Sequence, residues 1–361
     1  MMVVLLAVSS SDTVKEFKRD GAIERVGFVA GQTVLGCCAY SWLGGAFVGS
    51  VWDWKVGMCV GSATPLMCMA ASAAYSMKVG VKSPGAIASF TGGVDGLLWG
   101  YLIENSLISY DVRLPEWATP GIPLTTSLIL NAASLAYSQN SRASEGAYVT
   151  KTLFAFQSLY YYYQLKRTLL GDYVRYDSTG APSYSELKFD FTLLPVISVS
   201  SALGGFISTA GWEGYTAGDA LFLSANISKG SLVFGNVLRT AYLQTFWSQD
   251  RWERERDKYF AVLTQGYYYP DNPTMNRLGG ASQIVGGILG AGVSYMLIRK
   301  HHVPTMAGVL YSVVPAMAYW AAYAPLILFE KDPRPYGSFI PLIQIGLDVG
   351  TSYLIYRLFV R

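Results

Sequence analysis

Two acidic residues stand inside apolar stretches, where an acid is out of place. Asp95 lies within residues 91–100, TGGVDGLLWG, and Asp348 within residues 345–350, IGLDVG. A carboxylate in hydrocarbon is costly, so such an acid is a candidate for an ion or proton pathway. In the functional reading, Asp95 and Asp348 line a path for an ion or ligand. In the structural reading, each faces a helix bundle and accepts hydrogen bonds from Ser, Thr or Tyr hydroxyls. The chain holds 26 tyrosines, so hydroxyls are plentiful and the structural reading is favoured. Lys151, Lys229 and Arg239 also fall within apolar stretches. The two lysines either pair with acids or mark places where the chain reaches water.

Other chemistry is sparse. His301 and His302 follow Arg299 and Lys300 with no acid or cysteine nearby, so they read as loop residues at a surface rather than metal ligands or bases. Cys37, Cys38, Cys59 and Cys68 lack C-x-x-C spacing and read as small buried apolar residues. No phosphate-cradling G-x-x-x-x-G-K-[ST], no G-x-S-x-G and no H-E-x-x-H is present. No catalytic residue, cofactor or metal is therefore expected, and the chain reads as a non-enzyme. The run Trp247–Lys258 alternates charges whose signs cancel, with Asp250 four residues before Arg254 and Arg251 four before Glu255. That spacing suits a solvated helix face.

The elements that would carry these residues are helical. Of 361 residues, 52% are hydrophobic and only 14% charged. Soluble domains carry about 25% charged residues, so this chain cannot readily cover a soluble surface. The mean hydropathy is +0.29, held down because the apolar stretches are rich in Ala, Gly, Ser and Tyr. Small residues let helices approach closely in lipid. A net charge of +3, with no basic-aromatic run, excludes nucleic acid as a partner. Ten apolar segments can be marked, at 26–51, 58–77, 85–109, 121–138, 146–165, 192–210, 218–247, 279–298, 305–329 and 338–359. Most approach the roughly 20 residues of a membrane-spanning helix. A β-barrel needs about ten residues of strict alternation per strand. Only 185–193, SELKFDFTL, alternates well.

An internal recurrence organises the helices. Residues 70–76, AASAAYS, return almost unchanged at 132–138 as AASLAYS. Each is followed by a helix-start signal, at Ser83-Pro84-Gly85-Ala86 and Ser144-Glu145-Gly146-Ala147. Looser copies of the signal stand at Thr216-Ala217-Gly218-Asp219 and Thr305-Met306-Ala307-Gly308. Ser83, Ser144, Thr216 and Thr305 are the expected N-caps, with Asp219 completing a capping box. Each repeat then reads as helix, short loop, capped helix. Units that cannot bury their own faces must stack. The expected fold is all-α: stacked αα-hairpin repeats forming a polytopic membrane bundle of about ten helices.

Residues 1–25 read as an N-terminal arm or signal remnant, with the apolar Val3–Val8 as a possible signal core. Residues 26–361 read as one repeat domain with long connectors at 166–191 and 248–278. Discounting those connectors, Lys and Arg gather on the N-terminal side, which places it in the cytoplasm. The composition predicts an integral membrane or envelope protein, located in the membrane, which is the cell envelope if the host is bacterial. Its expected role is structural, a scaffold or a subunit of a larger complex, contacting lipid and protein partners. The alternative is a transporter or channel built on Asp95 and Asp348.

Overall fold

A computed structural model describes residues 22–171, 183–264, 269, 272–328 and 332–360. The signal-like segment at 1–11 lies outside these described residues. Among them the secondary structure is entirely helical, with no strand. The stretch 185–193 that alternates like a strand lies inside a helix that begins at Tyr184.

Two compact units emerge. The first takes the described residues within Met1–Leu159, Tyr176–Ala220 and Pro304–Met306. It opens with α1 (Ala22–Leu35), a π-helical turn (Gly36–Tyr40) and α2 (Ser41–Val51). There follow α3 (Trp54–Val79), α4 (Ser83–Ser109), α5 (Ala118–Asn140), the start of α6 (Glu145–Leu170) and α7 (Tyr184–Ala210). The second unit takes Tyr160–Arg175, Leu221–Val303 and Ala307–Arg361. It contains most of α8 (Ala217–Leu243), then α9 (Gln249–Thr264), α10 (Pro273–Ile298), α11 (Thr305–Ala321), the short α12 (Arg334–Gly337) and α13 (Ile340–Phe359).

Small residues decide how the first unit packs. Gly92, Gly96 and Gly100 recur every four residues on one face of α4. A Cβ on Gly92 would strike the Leu130 carbonyl and the Ser134 side chain of α5, one on Gly96 would strike Ser127, and one on Gly100 would strike Pro123. Backbones this close exclude any larger side chain, and in lipid such contact replaces the hydrophobic effect as the force between helices. Pro123 lies inside α5, past the first four residues, and forfeits one intrahelical hydrogen bond there.

The second unit has an aromatic core. Tyr242, Phe246, Trp252, Tyr259 and Tyr269 pack with Leu243, Leu263 and Ile340. The charge-alternating run supplies part of this core from α9. Trp252 and Tyr259 turn inward, while Arg251 reaches Glu255 at 3.7 Å on the wetter side. The proposed long connectors are shorter than the sequence suggests, because α6 runs to Leu170 and α9 fills much of 248–278.

Six helices are long and apolar enough to cross a membrane: Glu24–Val51, Trp54–Val79, Ser83–Ser109, Leu187–Ala210, Pro273–Ile298 and Thr305–Leu326. Among the described residues, polarity is distributed unlike that of a soluble protein. Trp42, Leu66, Met67, Ile207, Ile288 and Trp320 face outward, whereas Arg167, Arg239, Gln283 and Asp95 are fully buried. The cysteines follow the same pattern and correct the expectation of burial: Cys37, Cys38 and Cys59 are exposed free thiols. An apolar residue of a membrane helix satisfies its chemistry by facing lipid, so apolar character in the sequence does not imply a place in the core. The chain is thus a multi-pass helical protein with membrane character.

Candidate functional site

Asp95 and Asp348 each have a lysine. In the first unit, Lys151 of α6 places Nζ 2.9 Å from Asp95 Oδ2 of α4, with the side chains 14% and 1% exposed. The position of Lys151 follows from the start of α6. Ser144 Oγ accepts the N–H of Ala147, which fixes the first turn, and Lys151 then falls on the α4-facing side. Beside it, the Thr152 hydroxyl donates to the Thr91 carbonyl at 3.4 Å. Asp95 itself is fully buried. The charges neutralise each other where neither could be left alone.

In the second unit, Lys229 of α8 lies 3.8 Å from Asp348 Oδ1 of α13, with side chains 13% and 7% exposed. Lys229 is tightly held. It donates to the Tyr311 carbonyl at 2.9 Å and to Ser352 Oγ, and its ammonium sits 3.4 Å from the centre of the Tyr311 ring. The Tyr311 hydroxyl in turn donates to Asn226 Oδ1 at 2.6 Å. This pair borders a cavity of about 540 Å³ lined by residues of α8, α10, α11 and α13. Gly230, Gly286 and Gly290, which also line the cavity, bring α8 and α10 into backbone contact beside it.

The two acids therefore sit in different units, each with its own lysine. Hydroxyls matter in a different way from the sequence reading: Ser352 holds the lysine rather than Asp348. Arg239, the third cation in an apolar stretch, bonds the Leu263 carbonyl and the Tyr323 hydroxyl. His301 and His302 are exposed beyond the end of α10, and no group of metal-ligating residues occurs among the described residues.

The expected caps divide. Thr216 Oγ1 accepts the Asp219 N–H at 3.1 Å while Asp219 Oδ2 accepts the Thr216 N–H at 2.9 Å, a reciprocal capping box. Ser83 is the first helical residue of α4. Lys82 holds the cap position, and the Ser83 hydroxyl donates instead to Glu145 of α6. Thr305 is buried and its hydroxyl makes no hydrogen bond among the described residues.

Sequence reasoning missed a polar chain inside the first unit. Gln32 donates to Ser89 at 2.9 Å, and Asn131 donates to Gln32 at 2.9 Å and to the Tyr40 hydroxyl at 3.3 Å. Tyr40 meets Ser127 at 3.0 Å, and Ser127 donates to the Gly93 carbonyl at 2.6 Å. The π-helical turn at Gly36–Tyr40 shifts the register of the first span and carries Tyr40 to this chain. A lone Gln or Asn in an apolar run was the available signal. Glu104, buried near the end of α4, was missed in the same way.

Comparison with known protein families, with characterised proteins and with solved structures finds no match. The functional reading rests on the geometry.

Proposed function

We propose that this chain is an integral membrane scaffold, a helical subunit around which other membrane components assemble. The observation that carries the reading is α3. It has the length and composition of a membrane span, yet only 11% of its apolar window is buried within the chain. Its inner side is a narrow strip of Gly57, Gly61, Ser72 and Ser76, and the rest of its surface faces outward with Leu66, Met67 and Met77. A span attached along so narrow a strip offers most of its circumference to lipid or to a partner helix.

The closed Asp95–Lys151 pair supports the same role. An acid 1% exposed and in contact with a lysine is suited to fixing helix register rather than to passing ions. The α5, α6, α8 and α13 helices, each 20 to 27 residues long, are long enough to span as well. Their charges and amides would turn inward, bringing the bundle to about ten spans arranged as stacked hairpins. The bond joining Ser83 of α4 to Glu145 of α6 supports the stacking, since it ties together the starts of two repeat helices.

A transporter or channel is the second reading, favoured by one observation: Asp348 and Lys229 border a cavity. The test is alkaline carbonate extraction followed by blue-native electrophoresis of the solubilised membranes. Retention in the pellet and migration in a complex well above the 39.4 kDa of one chain are the expected results. Release by carbonate would end the membrane reading. A monomer retained in the pellet would end the scaffold reading and leave the transporter.

A further inference from the structure

We infer that the cavity in the second unit is a binding site for an uncharged amphiphile whose head group carries one hydrogen-bond donor, such as a long-chain alcohol. Lys229, Asn226, Tyr311 and Ser352 are all engaged with one another or with backbone. Asp348 is the charged exception, alongside the Tyr353 and Tyr356 hydroxyls that also line the wall. Its side chain is 7% exposed, and Lys229 lies 3.8 Å away, beyond hydrogen-bond distance. Among the described residues, no donor hydrogen-bonds its carboxylate, and it lines the cavity. A buried carboxylate is normally satisfied by hydrogen bonds, so the missing donor is the feature a ligand would supply.

Charge selects the class of ligand. Lys229 and Asp348 already cancel, so an added cation would leave the site with a net positive charge in a medium of low dielectric. An anion would meet Asp348 first, and the ammonium of Lys229 is taken up by Tyr311 and Ser352. A neutral donor fits both constraints. The rest of the wall is apolar and aromatic. Leu289, Val293 and Leu297 line it from α10, with Phe234 of α8 and Tyr353 of α13 on other sides. Several of these are exposed, so the cavity opens outward and a tail could extend into lipid. At about 540 Å³ it falls within the ~300–1,000 Å³ typical of small-molecule sites.

The test uses the full chain in phosphatidylcholine nanodiscs and a diazirine-bearing decanol as photoprobe. Labelled peptides are mapped, and labelling is competed by decanol, decyl methyl ether, decylamine and decanoate. Labelling is expected within 286–297 and 349–356, and decanol should compete roughly tenfold better than the ether, as a hydrogen bond to a charged group would give. Val293→Trp fills the cavity without touching the ion pair and should abolish the labelling. The double variant Lys229→Met with Asp348→Leu should keep labelling but lose the preference for alcohol over ether. Equal competition by the ether, stronger competition by the amine or the acid, or undiminished labelling of Val293→Trp would each overturn the proposal. Labelling spread evenly over outward-facing residues would mean that the probe reads lipid exposure alone, and would overturn it too.

Discussion

Removing one partner of the Asp95–Lys151 pair should damage this protein far more than removing both. At 2.9 Å and an effective dielectric of about 20, the gross attraction is about 6 kcal/mol. Most of that offsets the desolvation of two charges, so the net worth of the pair is small. Lys151→Met leaves a carboxylate 1% exposed with no counter-charge, and Asp95→Leu leaves a lysine that is mostly enclosed. Each single change should cost about 3–5 kcal/mol. The double variant should lie within about 1 kcal/mol of the parent or exceed it, because apolar side chains of similar size then occupy the gap. Unfolding by sodium dodecyl sulfate in mixed micelles measures all four species, and the cycle isolates the coupling. A coupling below about 0.5 kcal/mol would refute the reasoning, since the two side chains would then be acting independently. So would a double variant as unstable as the sum of the singles, which would point to packing around Gly92 and Gly96 rather than charge.

Other outcomes follow from the same geometry. Gly96→Ala and Gly230→Ala should each destabilise by about 1–3 kcal/mol or more, because the added Cβ falls on backbone of the facing helix. Gly204→Ala and Gly350→Ala, with open space at the same point, should be neutral or stabilise by up to about 1 kcal/mol, and the same denaturation assay separates the two classes. Thr216→Ala should cost about 0.5–2 kcal/mol through loss of a reciprocal cap. Thr305→Ala should cost little, because its hydroxyl makes no hydrogen bond among the described residues. In the loop before α12, hydrogen bonding from Arg334 holds the Asp332 carboxyl below its usual range. Its stabilising contribution is complete above the unfolded pKa of about 3.9 and disappears as pH falls through the lower folded value. The pair is exposed and the effect on stability small. Carboxyl NMR should therefore show Asp332 titrating low in the parent and near its ordinary value in Arg334→Gln.

The helical class was legible from composition, because 14% charged residues and small-residue spacing leave few other solutions. The acids at 95 and 348 and the lysines at 151 and 229 were legible as anomalies one at a time. That the lysines could pair with acids was readable too, but which lysine meets which acid was not, because it depends on which faces of α4, α6, α8 and α13 meet, and the periodicity is blurred when a helix is apolar all round. The Ser83 bond to Glu145 shows the same limit: a cap signal states that a helix begins nearby, while a neighbouring helix can claim the hydroxyl. The π-helical turn at Gly36–Tyr40 had no sequence signature, since one inserted residue shifts the register without changing composition.

The two pairs carry the same chemistry into different surroundings, and that difference separates structure from function in this chain. Asp95 meets Lys151 of α6 at 2.9 Å, on the helix whose glycines close against α5. With side chains only 1% and 14% exposed, the pair suits a role in packing. Asp348 is 3.8 Å from a lysine already committed to Tyr311 and Ser352, at the edge of open space. Glycine accompanies both arrangements. On α4 the small residues face a helix that fits them, and the contact is sealed. On α8 and α10 they draw two backbones together beside the cavity. A membrane scaffold needs the first arrangement to hold its helices in register. The second adds nothing to that purpose, and a carboxylate left without a donor there is a cost that a bound molecule would relieve.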